Sequence, residues 1–423
     1  MRLAWRRPWG RPASIWRLRS RRAAAAGGSA GLRQKLLRHG LVISEVALSA
    51  TLLVGAGLMI RSFAALRSQS LGYRPENVLS LNIDYPDKRY PNGPQARALI
   101  DRLTREIGSL PDVTATAFTT EAPLESSWTR IFTIEGRPVP LQDMPFVTHL
   151  VVGPGYFETL GLPLLEGRTF TAADYDEPGV LIVAQAFARK HWPKQSAIGQ
   201  RVRFGPPKNN EPWHTIVGVA AGSKQRDLKG VDGSSVYLPY SAQVTPNSLL
   251  VRTKGDPLRL AKAIAARIAA VDHDIAVSRV FTLRQIMNRV AWQDRFFTVL
   301  LAVFAVLALA LAAVGLYAVL SYAVSLHTHE IGIRMALGAS AASVRLMVLR
   351  QGLALAGAGL LLGTEAALAL TRLLESQLFQ TSPLDPAVYA SALAMLSAVA
   401  AAAAFLPTLR ATRVDPVIAL RHE

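Results

Sequence analysis

From Phe296 to Leu326 the chain carries no charged side chain. About 20 apolar residues suffice to cross the hydrocarbon core of a bilayer, so this run reads as a transmembrane helix rather than a buried globular one. Three further stretches meet the same length rule: Gly40 to Ile60, Gln351 to Leu370 and Ala387 to Thr408. The chain should therefore cross a membrane four times, because lipid tolerates only backbone whose polar groups are paired within the segment. The remainder between the first two runs, Arg61 to Arg295, is long enough for one or two folded domains.

Charge says which flank faces where. The 47 basic and 29 acidic residues leave a net charge of +18. Much of that excess precedes the first apolar run, where Arg2, Arg6, Arg7, Arg11, Arg17, Arg19, Arg21, Arg22, Arg33, Lys35 and Arg38 meet no acidic residue. With no zinc-finger spacing and no ribonucleoprotein-type aromatic motif, nucleic acid is not the expected partner. The segment between the second and third runs (Arg334, Arg345, Arg350) and the tail (Arg410, Arg413, Arg421) are also basic. The connection from Leu373 to Pro386 holds Glu375 and Asp385 but no Lys or Arg. The positive-inside rule then puts both termini in the cytoplasm and the large insertion outside, against a single dissenting charge at Arg372. Cleavage of the first run as a signal peptide is disfavoured by its length and by the poor cleavage context Arg61-Ser-Phe-Ala-Ala. Trp5, Trp9 and Trp16 among the arginines suit an anionic membrane surface, and Gly27-Gly28 mark an arm expected to be largely disordered.

These boundaries divide the chain into a basic arm (1–38), spans at 39–61, 295–325, 351–373 and 387–409, an extracytoplasmic domain (62–290), a cytoplasmic coupling segment (327–350) and a cytoplasmic tail (410–423). Within the insertion, Asn77 to Asp84 and Val113 to Thr119 have strand character, flanking a helical pattern from Pro94 to Leu110. The same order returns at Ser248 to Thr253, Pro257 to Val271 and Ile275 to Phe281. Two βαβ units suggest a split α/β subdomain whose N- and C-terminal parts pair. Between them, from Phe146 to Tyr240, glycine, proline and short strands such as Gly199 to Phe204 and Ile216 to Ala220 predict an inserted, mostly β subdomain.

Three motifs carry a resemblance: Glu330-Ile-Gly-Ile-Arg-Met-Ala-Leu-Gly-Ala339, Leu409-Arg-Ala-Thr-Arg-Val-Asp-Pro-Val-Ile-Ala-Leu420 and Gly161-Leu-Pro-Leu-Leu-Glu-Gly-Arg168. With the four-span layout they make the chain resemble the MacB-type, FtsX-like permeases of ABC systems from Arg33 to Glu423, with the FtsX-like permease region at 296–416. It is most similar to the second unit of the duplicated bacterial branch. The resemblance implies a dimeric permease, paired with a second permease unit of the same or a related chain in the bacterial inner membrane. It also implies a separate cytoplasmic ABC ATPase and, in some systems, a periplasmic adaptor.

No Gly-x-x-x-x-Gly-Lys-[Ser/Thr] occurs, so ATP is expected to act only through that partner. A helix after His327 would place Glu330 and Arg334 one turn apart, with Gly332 and Gly338 permitting close approach and Ser340 capping the next helix. Spacing alone leaves two readings open, an ATPase dock or a solvated charge pair; the resemblance favours the dock. His327, His329 and Glu330 lack the His spacing of a metalloprotease helix, so no metal site is expected. Glu45 and Glu365 fall inside spans, where acids are costly. Glu45 is close enough to the cytoplasmic end to reach the interface. Glu365 is deeper, facing either a helix partner such as a Thr or Tyr or a polar cavity, and a structural polar contact is favoured over a relay. Gly359 to Gly363 and Ala398 to Ala404 should pack helices closely, and Pro407 should kink or end the fourth span. Asp174, Asp176 and Glu177 read as a solvated turn, and no catalytic or cofactor site converges. With no cysteine, disulfides and thiolate chemistry are excluded. The expected function is a permease coupling ATP hydrolysis by a separate ATPase to motion of the external domain, for efflux or mechanotransmission. The alternative is a membrane scaffold that regulates a cell-wall hydrolase or senses peptides.

Overall fold

A computed structural model describes residues 14–86, 88–91, 94–125, 128–137, 139–176, 179–206, 210–230, 234–240, 247–327, 330, 333–334 and 340–411. The chain forms two compact units, one built from 1–65 and 294–423 and the other from 66–293.

The first unit is a helical bundle. Its helices are α1 (Ser14–Ser68), α8 (Trp292–Leu326), α9 (Ala341–Leu374) and α10 (Pro386–Ala411). Four stretches of them are long and apolar enough to cross a membrane: Leu36–Ser68, Trp292–Leu326, Ala342–Leu374 and Pro386–Pro407. The start of α1 at Ser14 departs from the disordered arm expected there. Alanine and arginine are strong helix formers, and a run of them outweighs the cost of two glycines. Helix α10 carries Pro407 inside it and continues to Ala411, so of the two expectations for that proline the one that it ends the helix does not hold.

Small residues let these helices approach. A Cβ on Gly359 would lie 2.6 Å from Val46 Cβ, and one on Gly363 would lie 2.6 Å from both the Ala47 carbonyl oxygen and Ala50 Cβ. The Thr51 hydroxyl donates to the Gly363 carbonyl at 3.1 Å. Around this crossing, Val42 and Val46 of α1 pack with Ala312, Leu316 and Leu320 of α8, Val348 and Leu355 of α9, and Ala400 and Ala404 of α10. In lipid there is no hydrophobic drive between helices, so close packing of such residues is what holds them. Further along, Val54, Leu58, Ala367, Val388 and Ala392 form a second cluster. There the Arg61 guanidinium pairs with Asp385 at 2.8 Å, and Asp385 Oδ1 also accepts from the Ala387 backbone N–H at the start of α10. The Phe379 N–H donates to the Ser62 hydroxyl at 2.8 Å.

The second unit is built on one sheet. Strand β1 (Val78–Asp84), helix α2 (Pro94–Gly108) and strand β2 (Val113–Thr119) form the first βαβ unit. Strand β10 (Ser248–Thr253), helix α6 (Ala261–Val271) and strand β11 (Ala276–Thr282) form the second. They interleave in the order β11-β1-β10-β2, with β1 antiparallel to both β10 and β11. This is the split βαβ, ferredoxin-like arrangement. Leu99, Leu103 and Ile107 repeat every four residues on α2, so they share one face and bury it with Ile264 and Ile268 of α6 over the sheet.

Between the two units come β3 (Thr129–Ile134), β4 (Phe146–Val152), α3 (Tyr156–Leu160), β5 (Leu164–Gly167), α4 (Ala172–Asp176), β6 (Val180–Ala184), α5 (Gln185–His191), β7 (Arg201–Phe204), β8 (His214–Ala220) and β9 (Ser235–Pro239). The inserted region thus begins earlier than Phe146. It has its own core, including Phe132, Leu181, Phe187, Trp192, Phe204 and Ile216. Its sheet is nevertheless continuous with the first, because Thr119 of β2 pairs with Val152 of β4. The segment that follows α1 is stitched into this unit. Gln69 Nε2 donates to the Leu228 carbonyl at 2.7 Å, Leu71 accepts from the Lys224 N–H at 3.0 Å, and the Arg74 N–H donates to Leu160 at 2.8 Å. Arg252 of β10 reinforces it by donating to the carbonyls of Arg74, Glu76 and Thr159. Helix α7 (Leu283–Val290), closed by a Thr282/Gln285 capping box, leads to α8.

Two histidines in the inserted core carry a pH prediction. His149 of β4 and His214 of β8 stand edge-on to the Phe204 ring, with centroids 5.1 and 5.5 Å away. Neither Nδ1 has a hydrogen-bond partner among the described residues. Burial, reinforced by the Arg130 and His214 charges, pushes His149 down to about 4; burial also lowers His214, against the opposing pull of Glu211. The unfolded chain takes up these protons near pH 6.5, and the folded chain resists until lower pH, so stability falls as pH drops from about 6.5 toward 4. Each such proton costs about 1.4 kcal/mol per pH unit in that window. Urea unfolding of the intact protein followed by tryptophan fluorescence should show this slope, and His149→Leu should flatten it by about one proton. An unchanged slope in the variant would remove His149 as the cause.

Candidate functional site

The candidate site gathers where α8 ends. His327 closes that helix, and its Nδ1 lies 3.2 Å from Glu330 Oε2. Arg334 donates through Nη1 to the Met347 sulfur of α9 at 3.2 Å. The two expected docking charges thus do not pair with each other: Glu330 turns to α8 and Arg334 to α9. Both are exposed. They border a cavity of about 190 Å³ whose wall includes Val324, Met347, Val348 and Gln351. Ser340 caps α9 by accepting from the Ser343 N–H at 3.3 Å. Gly332 and Gly338 lie outside the described residues.

The two intramembrane acids sit elsewhere. Glu45 is half-buried, and its Oε2 lies against Gly315 of α8, in the space a Cβ there would occupy. That oxygen has no hydrogen-bond partner among the described residues. Glu365 is exposed on α9, with neither a Thr nor a Tyr bonded to it among the described residues. The Thr–Tyr contact in this region instead joins Thr371 to Tyr389 of α10 at 3.4 Å.

In the external unit the solvated-turn expectation fails at Asp174. Its carboxylate takes two bonds from Arg168, at 2.6 and 3.1 Å, and two from Thr171, each 2.7 Å, and it is buried. The Arg168 guanidinium and the Thr171 bonds hold it down at about 2, below the ordinary carboxylate value. Asp176 pairs with Arg97 at 2.6 Å, and Glu177 lies outside the described residues. Sequence reading missed the Asp174 knot because its donors lie on irregular backbone with no periodicity to align them. Asp272, His273 and Asp274 bring three ligand-type atoms within 4.8 Å of one another. Arg89 already bridges both carboxylates at 2.7 Å, and Tyr90 donates to Asp272, so the group is satisfied as a structural ion pair.

Comparison with known proteins decides the family. Residues 40–271 match the model of the MacB-like periplasmic core domain, and residues 302–416 match the FtsX-like permease C-terminal model. The chain belongs to the MacB/FtsX-like ABC permease family. It is 27% identical over 286 residues to the macrolide export ATP-binding/permease protein MacB of Chromobacterium violaceum, covering 64% of this chain and 43% of that protein. The corresponding protein of Hahella chejuensis is 29% identical over 290 residues, with 64% and 42% covered. The chain therefore spans less than half the length of these curated relatives. Among solved structures, the periplasmic region of MacB from Actinobacillus actinomycetemcomitans is 14% identical with a TM-score of 0.35, covering 53% of this chain and 96% of that one. The extracellular domain of the transporter YknZ from Gram-positive bacteria is 18% identical with a TM-score of 0.32, covering 48% and 100%. With four helices long and apolar enough to cross a membrane, this MacB/FtsX-like permease is a multi-pass protein of the bacterial inner membrane.

Proposed function

We propose that this MacB/FtsX-like permease couples a separate cytoplasmic ABC ATPase to movement of its external domain, in the service of efflux. The observation that carries the reading is the exposure of Glu330 and Arg334, each anchored to a different membrane helix, at the end of the 35-residue helix α8. A push on such a dock is delivered to two spans at once. Gly332 and Gly338 belong to the same proposed dock. The proposed topology puts both termini and this segment in the cytoplasm. A second permease unit would cover the outward face of α9, since a carboxylate such as Glu365 left facing lipid costs a few kcal/mol. The macrolide-export names of the relatives support efflux, with a periplasmic adaptor as the further partner.

The test is co-purification of the tagged intact chain from its native cells, with any retained ABC ATPase identified by mass spectrometry. The wild type should retain the ATPase, and the double charge reversal Glu330→Arg with Arg334→Glu should reduce retention about tenfold or more, the loss of two interfacial charge contacts. Equal retention would refute the dock. Topology is checked separately, because a periplasm-active reporter inserted at Gly230 should be active, and one inserted at Ala341 should not.

A further inference from the structure

A second cavity, of about 310 Å³, opens beside the first, lined by Arg38, Tyr322, His327 and Gln351 over an apolar floor that includes Val319 and Leu326. That is the size at which small-molecule pockets begin, about 300 Å³. Its depth is set by the helices themselves. Arg38 lies two residues into the first apolar span and Leu326 is the last residue of the second, so the cavity sits at one membrane boundary, whichever side that boundary faces.

The chemistry at that level is cationic and only half satisfied. The Arg38 guanidinium lies over the Tyr322 ring, 4.0 Å from its centroid, so one face is engaged while its N–H edge remains able to donate. Among the described residues no carboxylate pairs with it, and the acid of the adjoining cavity, Glu330, is engaged by His327. Gln351 adds an amide donor from α9. Below Tyr322 the outward side of α8 continues as Ala318, Val314, Leu311 and Leu307, all exposed and spaced three or four residues apart. An acyl chain can lie along such a stripe with its headgroup at Arg38.

We infer that this cavity between α1, α8 and α9 binds the headgroup of an anionic phospholipid, with Arg38 as the phosphate ligand and the α8 stripe as the acyl track. Basic pockets between membrane helices are a recurring way of holding such headgroups. A free phosphate shares the headgroup chemistry but has no use for the stripe. Because Glu330 and His327 border the same end of α8, the bound lipid would lie next to the segment proposed to dock the ATPase. The inference does not depend on that docking.

The test uses the full chain, purified in mild detergent and exposed to mixed phosphatidylglycerol and phosphatidylcholine, with retained lipid measured by mass spectrometry and unfolding temperature measured alongside. The wild type should retain phosphatidylglycerol preferentially. Arg38→Gln should lower that retention about fivefold, the equivalent of one basic contact, whereas Arg345→Gln, exposed on α9 outside the cavity, should not. Gln351→Glu, which places a negative charge in the cavity while keeping side-chain size, should lower it as well and guards against a folding defect at Arg38. Inorganic phosphate alone should not raise the unfolding temperature. Wild-type retention in both Arg38→Gln and Gln351→Glu, a fall in Arg345→Gln as large as that in Arg38→Gln, or full stabilisation by inorganic phosphate would each overturn the assignment.

Discussion

Gly363→Leu should prevent the membrane helices from assembling normally. A Cβ there would lie 2.6 Å from the Ala47 carbonyl oxygen and 2.8 Å from Ala47 Cα, so the obstruction is backbone that no rotamer change can clear. Helices α1 and α9 would have to separate, stretching the Thr51 to Gly363 hydrogen bond and opening the packing of Val42, Val46 and Leu355. Overpacking of this kind costs about 3 kcal/mol or more. The expected result is a large fall in unfolding temperature in detergent and in the fraction that elutes as a single species. Gly357→Ala is the matched comparison, since a Cβ at that position meets nothing within 4 Å. It should be neutral or slightly stabilising, because alanine is the better helix former. Similar behaviour of the two variants would mean that α1 and α9 do not cross at Gly363.

The second large effect belongs to the external unit. Gly72 has a positive φ of 79°, and a Cβ there would run into the Gly222 carbonyl oxygen and come within 2.8 Å of Ser223 Cα. Gly72→Val therefore combines two costs, about 1–3 kcal/mol for a β-branched residue in left-handed backbone and a further clash that displaces the loop after β8. That loop is where Lys224 donates its N–H to Leu71, so the bonds that hold the chain leaving α1 should loosen together. Limited proteolysis of the intact protein should show faster cleavage around Gln69 to Arg74 and around Gly222 to Gly230. Gly136→Ala separates the two costs, because Gly136 has a φ of 74° but open space around its missing Cβ. It should pay the backbone term alone. If Gly72→Val is no worse than Gly136→Ala, the close approach to Gly222 is not part of the folded state.

The spans and both βαβ units were legible because each depends on a local pattern. An uncharged run needs no partner to be recognised, and Leu99, Leu103 and Ile107 announce their helix face by spacing alone. What sequence reading did not yield was mostly set by distant pairing. The interleaving of β10 between β1 and β2 is fixed by registers such as Val78 with Arg252, and no local feature of either strand encodes the other. The continuity of the sheet across both cores rests on the single pairing of Thr119 with Val152. His149 and His214 meet at Phe204 only because β4 and β8 bury their side chains in one core. At the candidate dock, Glu330 and Arg334 were visible as an i, i+4 pair, yet the fold gives each a different partner. His327 is three residues before Glu330 and could have been weighed as its ion-pair partner, whereas Met347 lies 13 residues beyond Arg334, within α9.

The position of β1 has a consequence for how the protein is made. It is the first strand of the external domain, and both of its neighbours, β10 and β11, come from the last strands before α8. Synthesis proceeds at about 5–20 residues per second, so β1 waits many seconds for any partner. Until then both of its edges are open, and unpaired edges are where chains aggregate. The sheet can close only when nearly the whole insertion has been translocated, just before the second span enters the membrane. Assembly of this protein is thus ordered by its topology: the first helix inserts early, but the domain that follows it closes only when its final strands arrive, at the moment the chain turns back toward the bilayer.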